Sequence, residues 1–145
     1  MAQGIHTELT FERAIEEALV QNGGYTKGYS EDFDAQTGLF PSYIINFLKE
    51  SQPLLWGKLA NIHKDEVDKK VMQRLIKEID LRGVLDVIRN GFTDYGVKFQ
   101  MAFFKPESTL NPDAEVLYKK NNLSVIRQLY YERVGKRTSY CHCRA

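Results

Sequence analysis

Two sets of side chains in this sequence have types and spacings that could do chemistry. The first is Cys141-His142-Cys143, three potential metal donors in a row. Structural zinc takes four donors, in pairs spaced more widely than this. The other histidines, His6 and His63, supply no second pair, and a disulfide across one intervening residue would be strained. The triplet is therefore an ordinary tail, and no metal ligands are expected. The second set is cationic. Arg82, Arg89, Lys98, Lys105 and Arg127 are the candidates for DNA contact, because binding a phosphate backbone needs clustered positive charge. The competing reading is a dispersed, solvated surface, or Arg127 paired with a carboxylate inside the fold. Trp56 and Tyr130-Tyr131 suit packing better than base stacking.

The bulk composition narrows what can position these residues. A formal net charge of +1 over 145 residues gives no global signal for nucleic acid, so any DNA contact must come from a local patch. A chain that is 43% hydrophobic and 27% charged has globular composition and is long enough for one core. Apolar runs are short, as in Tyr43-Ile44-Ile45, so no membrane partner is expected. The opening MAQGIHTELTFERAIEE lacks a basic start followed by an apolar stretch, and a cytoplasmic protein is the expectation.

Periodicity supplies the elements. Phe11, Ala14, Ile15, Ala18 and Leu19 form one apolar helical stripe, with Thr10 as N-cap and Gly23-Gly24 as stop. Pro41 opens a second helix through Ile44, Ile45, Phe47 and Leu48. Pro53 interrupts, and Leu54, Leu55, Trp56 and Leu59 predict another short helix. A long helix spans 65–80, with Val67, Val71, Leu75 and Ile79 on its buried face. Val84, Leu85 and Ile88 continue helical spacing to Asn90-Gly91, although a strand also fits this segment. Strict alternation of Val97, Phe99, Met101 and Phe103 predicts a strand ended by Pro106. Asn111-Pro112 caps a short helix through Tyr118. A second strand is expected over 123–131, with Val125, Leu129 and Tyr131 on one face. Helices followed by mixed strands and helices imply an α/β or α+β core.

Several short motifs, in order, carry a resemblance. The helix FERAIEEAL with its Gly-Gly-Tyr exit leads to GLFPSYIINFLKESQPLLWGKL. Arg82-Gly83 then precedes VLDVIRNG, and Gly96-Val97-Lys98 opens the AFFKP strand. Leu110-Asn111-Pro112, Asn121-Asn122-Leu123 and Val125-Ile126-Arg127-Gln128 follow. In this order the chain resembles the N-terminal nuclease region of the R subunit of type I restriction enzymes. The resemblance covers about nine-tenths of the sequence by motif inspection.

The resemblance implies a PD-(D/E)XK restriction-endonuclease-like domain of α/β class, a mixed sheet flanked by helices, incomplete in this chain. It implies Mg²⁺-dependent cleavage of DNA coupled to ATP-driven translocation in the full-length subunit, with the methylation and specificity subunits as partners. Carboxylates on adjacent strands would converge on a hard cation, which prefers oxygen ligands and activates water against the phosphodiester. The Asp strand and the Glu-x-Lys strand of similar members do not follow Tyr131 here. The tail ERVGKRTSYCHCRA has no acid after Glu132 and lacks the alternation of a strand. The expectation is therefore a nuclease-region fragment over 1–131 and a divergent tail over 132–145. Alone it should need no cofactor and be inactive, with a non-catalytic DNA-binding or subunit-interaction module as the alternative.

Against this background, Pro112-Asp113 is a decoy, since Asp113 falls in the first turn of a helix, where a carboxylate suits the helix dipole. Asp68-x-Lys70 lies on a solvated helical face. Glu12 is the one catalytic candidate. An acid on the first helix often reaches the metal site in nucleases of the implied type, and Glu12 borders the apolar stripe. Its competing reading is an exposed carboxylate favoured by the helix N-terminus.

Overall fold

The structure is a computed structural model that describes residues 7–108, 110–133 and 136–140, with side chains as far as Leu129. Its elements in chain order are α1 (Glu8–Asn22), β1 (Thr26–Lys27), α2 (Pro41–Ser51), α3 (Pro53–His63), α4 (Val67–Arg82) and α5 (Val84–Asn90). They continue with β2 (Phe92–Asp94), β3 (Val97–Phe99), α6 (Pro112–Lys119), β4 (Ser124–Val125), β5 (Leu129–Arg133) and β6 (Lys136–Tyr140). Helices and small sheets together give the expected mixed α and β composition. Among the described residues the strands pair two by two rather than in one mixed sheet: β1 parallel to β4, β2 antiparallel to β3, and β5 antiparallel to β6. No described helix is long and apolar enough to cross a membrane.

The chain divides into two compact units, Phe40–Asn121 and a unit formed by Met1–Leu39 with Asn122–Ala145. The central unit follows the apolar pattern closely. Pro41 and Pro53 occupy first turns of α2 and α3, where a missing N–H costs nothing. Leu48, Leu59, Val71, Leu75, Val87, Phe92 and Phe99 are all but fully buried. Phe92 and Phe99, opposite each other in the β2–β3 ladder, stack at 5.6 Å, and Trp56 meets Phe99 edge-on at 6.3 Å. Burial of such rings supplies most of the drive for this core.

The β2–β3 hairpin corrects the expected long strand. Alternation from Val97 to Phe103 suggested one extended run, but β3 ends at Phe99. Its partner β2 comes from the segment just after Gly91, joined by Tyr95-Gly96 with φ of 45° and 77°. Positive φ at both turn residues matches the twist of paired strands. Past β3, the amide of Asn121 takes over the role of a ladder partner. Its side chain accepts from the Phe103 N–H at 3.0 Å and donates to the Phe103 carbonyl at 2.6 Å.

The unit made from the two ends of the chain is built differently. The parallel pairing Thr26↔Ser124 and Lys27↔Val125 joins residues about a hundred positions apart. The expected strand over 123–131 is two strands, β4 and β5, broken around Gln128, whose φ is 49°. The tail is also corrected. Lys136–Tyr140 forms β6 against β5, from Leu129↔Tyr140 to Arg133↔Lys136, although its sequence does not alternate. Main-chain pairing between antiparallel strands asks for no apolar alternation.

Candidate functional site

The inward face of α1 carries acids where apolar residues were expected. Thr7, not Thr10, caps the helix, its hydroxyl accepting from the Thr10 N–H at 3.4 Å. Phe11 and Ile15 are exposed, at 69% and 39%, whereas Glu16 is only 8% exposed. Leu19 is the one large member of the predicted stripe that turns inward, and it is half-buried. Residues four apart share a helix face, so Glu12 and Glu16 point the same way, one turn apart.

Two cations from distant sequence hold Glu16. Arg127, just past β4, donates its Nε–H to Oε2 at 2.8 Å, and Lys27 of β1 places Nζ 3.2 Å from Oε1. Burial pushes the Glu16 carboxyl up, but hydrogen bonds from Arg127 and Lys27, and then their charges, outweigh it and hold it below the usual carboxylate range. The strand pairing sets this arrangement. Thr26 N–H donates to the Leu123 carbonyl at 2.8 Å, and Gly28 N–H to the Val125 carbonyl at 2.9 Å. The Thr26 hydroxyl adds contacts to Asn122 Oδ1 at 3.1 Å and Ser124 Oγ at 3.0 Å.

Glu12 stands apart. Its Oε2 is the one buried side-chain oxygen or nitrogen among the described residues that has no hydrogen-bond partner. Leaving such an acceptor unsatisfied costs about 1–3 kcal/mol. One carboxylate oxygen is far short of the oxygen shell that a hard divalent cation takes, and the neighbouring Glu16 is occupied by Arg127 and Lys27. No cluster of three acidic, histidine or cysteine side chains able to hold a metal occurs among the described residues. The described residues do not fit a resident Mg²⁺.

The five cationic candidates separate into two kinds. Arg127 is held by Glu16. Arg82 is equally engaged: it donates to Asp86 at 2.6 Å, to Glu78 at 3.0 Å and to the Gly91 carbonyl at 3.1 Å. The hydrogen bonds it donates to Glu78 and Asp86 raise its pKa further. Arg82 thus ties the end of α4 to the exit of α5. Arg89 on α5, Lys98 on β3 and Lys105 beyond β3 are exposed on separate elements. None of these three forms a salt bridge among the described residues.

The remaining predicted features fall as follows. Asp113 lies in the first turn of α6 behind the Asn111 cap. Asp68 pairs with Lys49 at 3.1 Å, and Lys49 also lies 5.1 Å from the centre of the buried Trp56 ring. Cys141, His142 and Cys143, and the side chains of Tyr130 and Tyr131, lie outside the described residues. Sequence reasoning missed Glu16 and Lys27, although Glu12 and Glu16 at i,i+4 already marked one face. It also missed a buried pair in the central unit, where His63 Nε2 lies 3.0 Å from Asp94 Oδ2 with both side chains 8% exposed. Compared with protein-family models, with curated proteins and with solved structures, the chain matches none.

Proposed function

We propose that this chain is part of a DNA-processing nuclease region like that of the type I restriction R subunit, with a PD-(D/E)XK-like core, and that as it stands it binds DNA without cutting it. One observation carries this reading beyond the motif order: the first-helix acid Glu12 has a buried carboxylate oxygen that has no donor among the described residues. A group kept at such a cost suits a site that further residues or a ligand complete. The sequence contains no Glu-x-Lys and no Walker-type Gly-rich loop, so the acids, lysine, Mg²⁺ and ATP chemistry of the full subunit have no counterpart in these residues. DNA contact falls to the exposed cations Arg89, Lys98 and Lys105, with Arg82 and Arg127 positioned by their carboxylates.

The test combines cleavage and binding. Plasmid DNA incubated with the chain, Mg²⁺ and ATP is expected to stay supercoiled, while a labelled duplex binds in a salt-dependent way. Replacing Arg89, Lys98 and Lys105 together by Ala should weaken binding at least roughly tenfold and flatten the salt slope. Reproducible nicking that disappears in Glu12→Ala, or binding indifferent to the triple replacement, would overturn the proposal.

A second reading, a subunit-interaction module, is favoured by Phe11 and Ile15, exposed one turn apart on the same side of α1. Neighbouring exposed apolar side chains of this kind suit an interface. The methylation and specificity subunits of a type I complex are the partners this reading names. Sedimentation of the chain with and without them discriminates it: a shift that Phe11→Ser abolishes supports it, and unchanged sedimentation rejects it.

A further inference from the structure

A cleft in the central unit has the charge and shape of an anion site that no motif in the sequence announced. It is a shallow depression of about 300 Å³, open to solvent and lined by one face of α4 together with His63, Asp94 and Tyr95. That volume is at the small end of the range for ligand pockets. Lys70, Arg74 and Lys77 follow one another at i, i+4 and i+7, so they project from one side of the helix along a stripe about 10 Å long.

The roles of these cations differ. Arg74 is anchored: it donates to the Thr93 carbonyl at 3.0 Å and pairs with Glu78 at 2.7 Å. Lys70 and Lys77 are exposed and hold no salt bridge among the described residues. Two ammonium groups without a salt bridge among the described residues therefore flank an anchored guanidinium. An ammonium group is a compact, strongly hydrated charge that binds phosphate well as a point charge.

The opposite wall is held by side-chain contacts between two elements. His63 ends α3, and Asp94 ends β2 immediately before the turn, so their 3.0 Å bond links a helix terminus to the hairpin. Tyr95 meets the imidazole edge-on at 5.0 Å and remains 72% exposed, which leaves its hydroxyl available as a further donor. Lys64 and Tyr95, beside this pair, both hold positive φ, at 54° and 45°. Conformations that side chains seldom adopt persist only where surrounding structure fixes them. Asp94, the one carboxylate among the described residues lining the cleft, is buried against His63, so little negative charge faces a ligand.

We propose that this cleft is a phosphate-binding site, in which Lys70 and Lys77 hold the phosphate group and the His63–Asp94 pair fixes the wall behind it. The group belongs either to a nucleic-acid backbone or to a small phosphate compound. The inference stands on the cleft alone and does not depend on the nuclease-region reading.

The full chain is titrated at constant ionic strength with inorganic phosphate and, separately, with a short duplex oligonucleotide. Calorimetry gives affinity, and NMR follows the α4 amides and the His63 ring. Saturable binding is expected that moves the Lys70–Lys77 amides and the His63 signals. Lys70→Glu and Lys77→Glu should each weaken it at least roughly tenfold, as expected for a lost charge-assisted contact. Lys58→Glu, an equal charge change at an exposed position outside the cleft, should leave it within about twofold. Tighter binding of the duplex with a steep salt dependence assigns the phosphate to a nucleic acid. Equal or tighter binding of inorganic phosphate assigns it to a small compound. Absence of saturation with either probe, or an equal loss in Lys58→Glu, overturns the site. Because Lys70 and Lys77 are exposed, both variants keep the fold, which the dispersion of the same spectra verifies.

Discussion

The two units of this molecule solve the problem of a core in opposite ways. Twelve of the fourteen buried apolar side chains described lie in the central unit, and only Val125 and Ile126 belong to the unit made from the chain ends. Where the central unit packs Phe92, Phe99 and Trp56 together, the end unit places Glu16 between Arg127 and Lys27. Apolar burial gains stability without demanding exact partners, whereas a buried charge is tolerable only while its partners stay in place. The comparison teaches that the unit carrying the catalytic candidate Glu12 depends on a few long-range polar contacts. The central unit depends on shape.

The sharpest way to break the central unit is through its backbone. Gly91 has φ 70° and ψ −168°, a region that only glycine occupies readily. A methyl group there would lie 2.0 Å from the Phe99 carbonyl oxygen. Gly91→Ala is therefore expected to destabilise by about 4 kcal/mol or more, since strain and a collision with main chain add. The end unit supplies its own control. Gly24 also has φ 70°, but nothing lies within 4 Å of a methyl group there, so Gly24→Ala should lose only about 1 kcal/mol. Trp56, the one tryptophan, reports urea unfolding of the central unit. If Gly91→Ala unfolds at the wild-type midpoint, the close approach of this backbone to Phe99 is wrong.

The corresponding break in the end unit is electrostatic. Arg127→Ala leaves Glu16 buried with Lys27 as its one remaining cation. Losing one partner of a buried pair costs about 3–5 kcal/mol, and with Lys27 retained and Arg127 partly exposed, about 3 kcal/mol is expected. Hydrogen exchange should speed up at the α1 amides while the Trp56 transition stays put. Replacing both partners, Glu16→Gln with Arg127→Leu, should recover part of the loss, because no uncompensated charge is left buried. A double variant as unstable as Arg127→Ala would show that Arg127 acts by packing.

How much of this was legible in the sequence follows the same division. In the central unit, prolines at helix starts, Asn111 as a cap and helical spacing through α2, α3 and α4 specify the elements locally. Those signals act within a few residues. The end unit could not be read this way. Apolar periodicity assigned Phe11 and Ile15 to the core of α1, because the method counts apolar side chains and has no means of seeing that Arg127, 111 positions from Glu16, would make an acid the inward residue. The competing reading of Arg127, a carboxylate partner inside the fold, described its contact correctly, yet nothing local named that carboxylate. The β2–β3 hairpin was missed for another reason. Tyr95-Gly96 is an ordinary pair in sequence, and only the primed turn it forms shows that the alternation after it belongs to a short ladder. Glu12 was singled out by position on the first helix, but the burial of its free oxygen depends on tertiary packing.

The smallest effect separates the units by pH. Burial alone would raise the Glu16 carboxyl, but Arg127 and Lys27 hold it below its ordinary value. Asp34 is lowered as well, by the Thr37 hydroxyl and the Gln36 N–H. In the central unit Asp86 is lowered by Asn90 and Arg82, at a more solvated position. A carboxyl with a depressed folded pKa binds fewer protons in the folded state than in the unfolded one. Its contribution is therefore full above the unfolded value, about 4.3 for glutamate, and is lost as the pH falls through the lower, folded value. Acid should accordingly loosen the end unit first. Between pH 7 and pH 3, exchange at α1 amides should accelerate before Trp56 emission changes. In the Glu16→Gln, Arg127→Leu double variant that early loss should shrink, leaving the part due to Asp34. If both units give way at the same pH in the wild type, the polar centre of the end unit is not what distinguishes it. Its stability would then rest, like that of the central unit, on the apolar contacts of Val125 and Ile126.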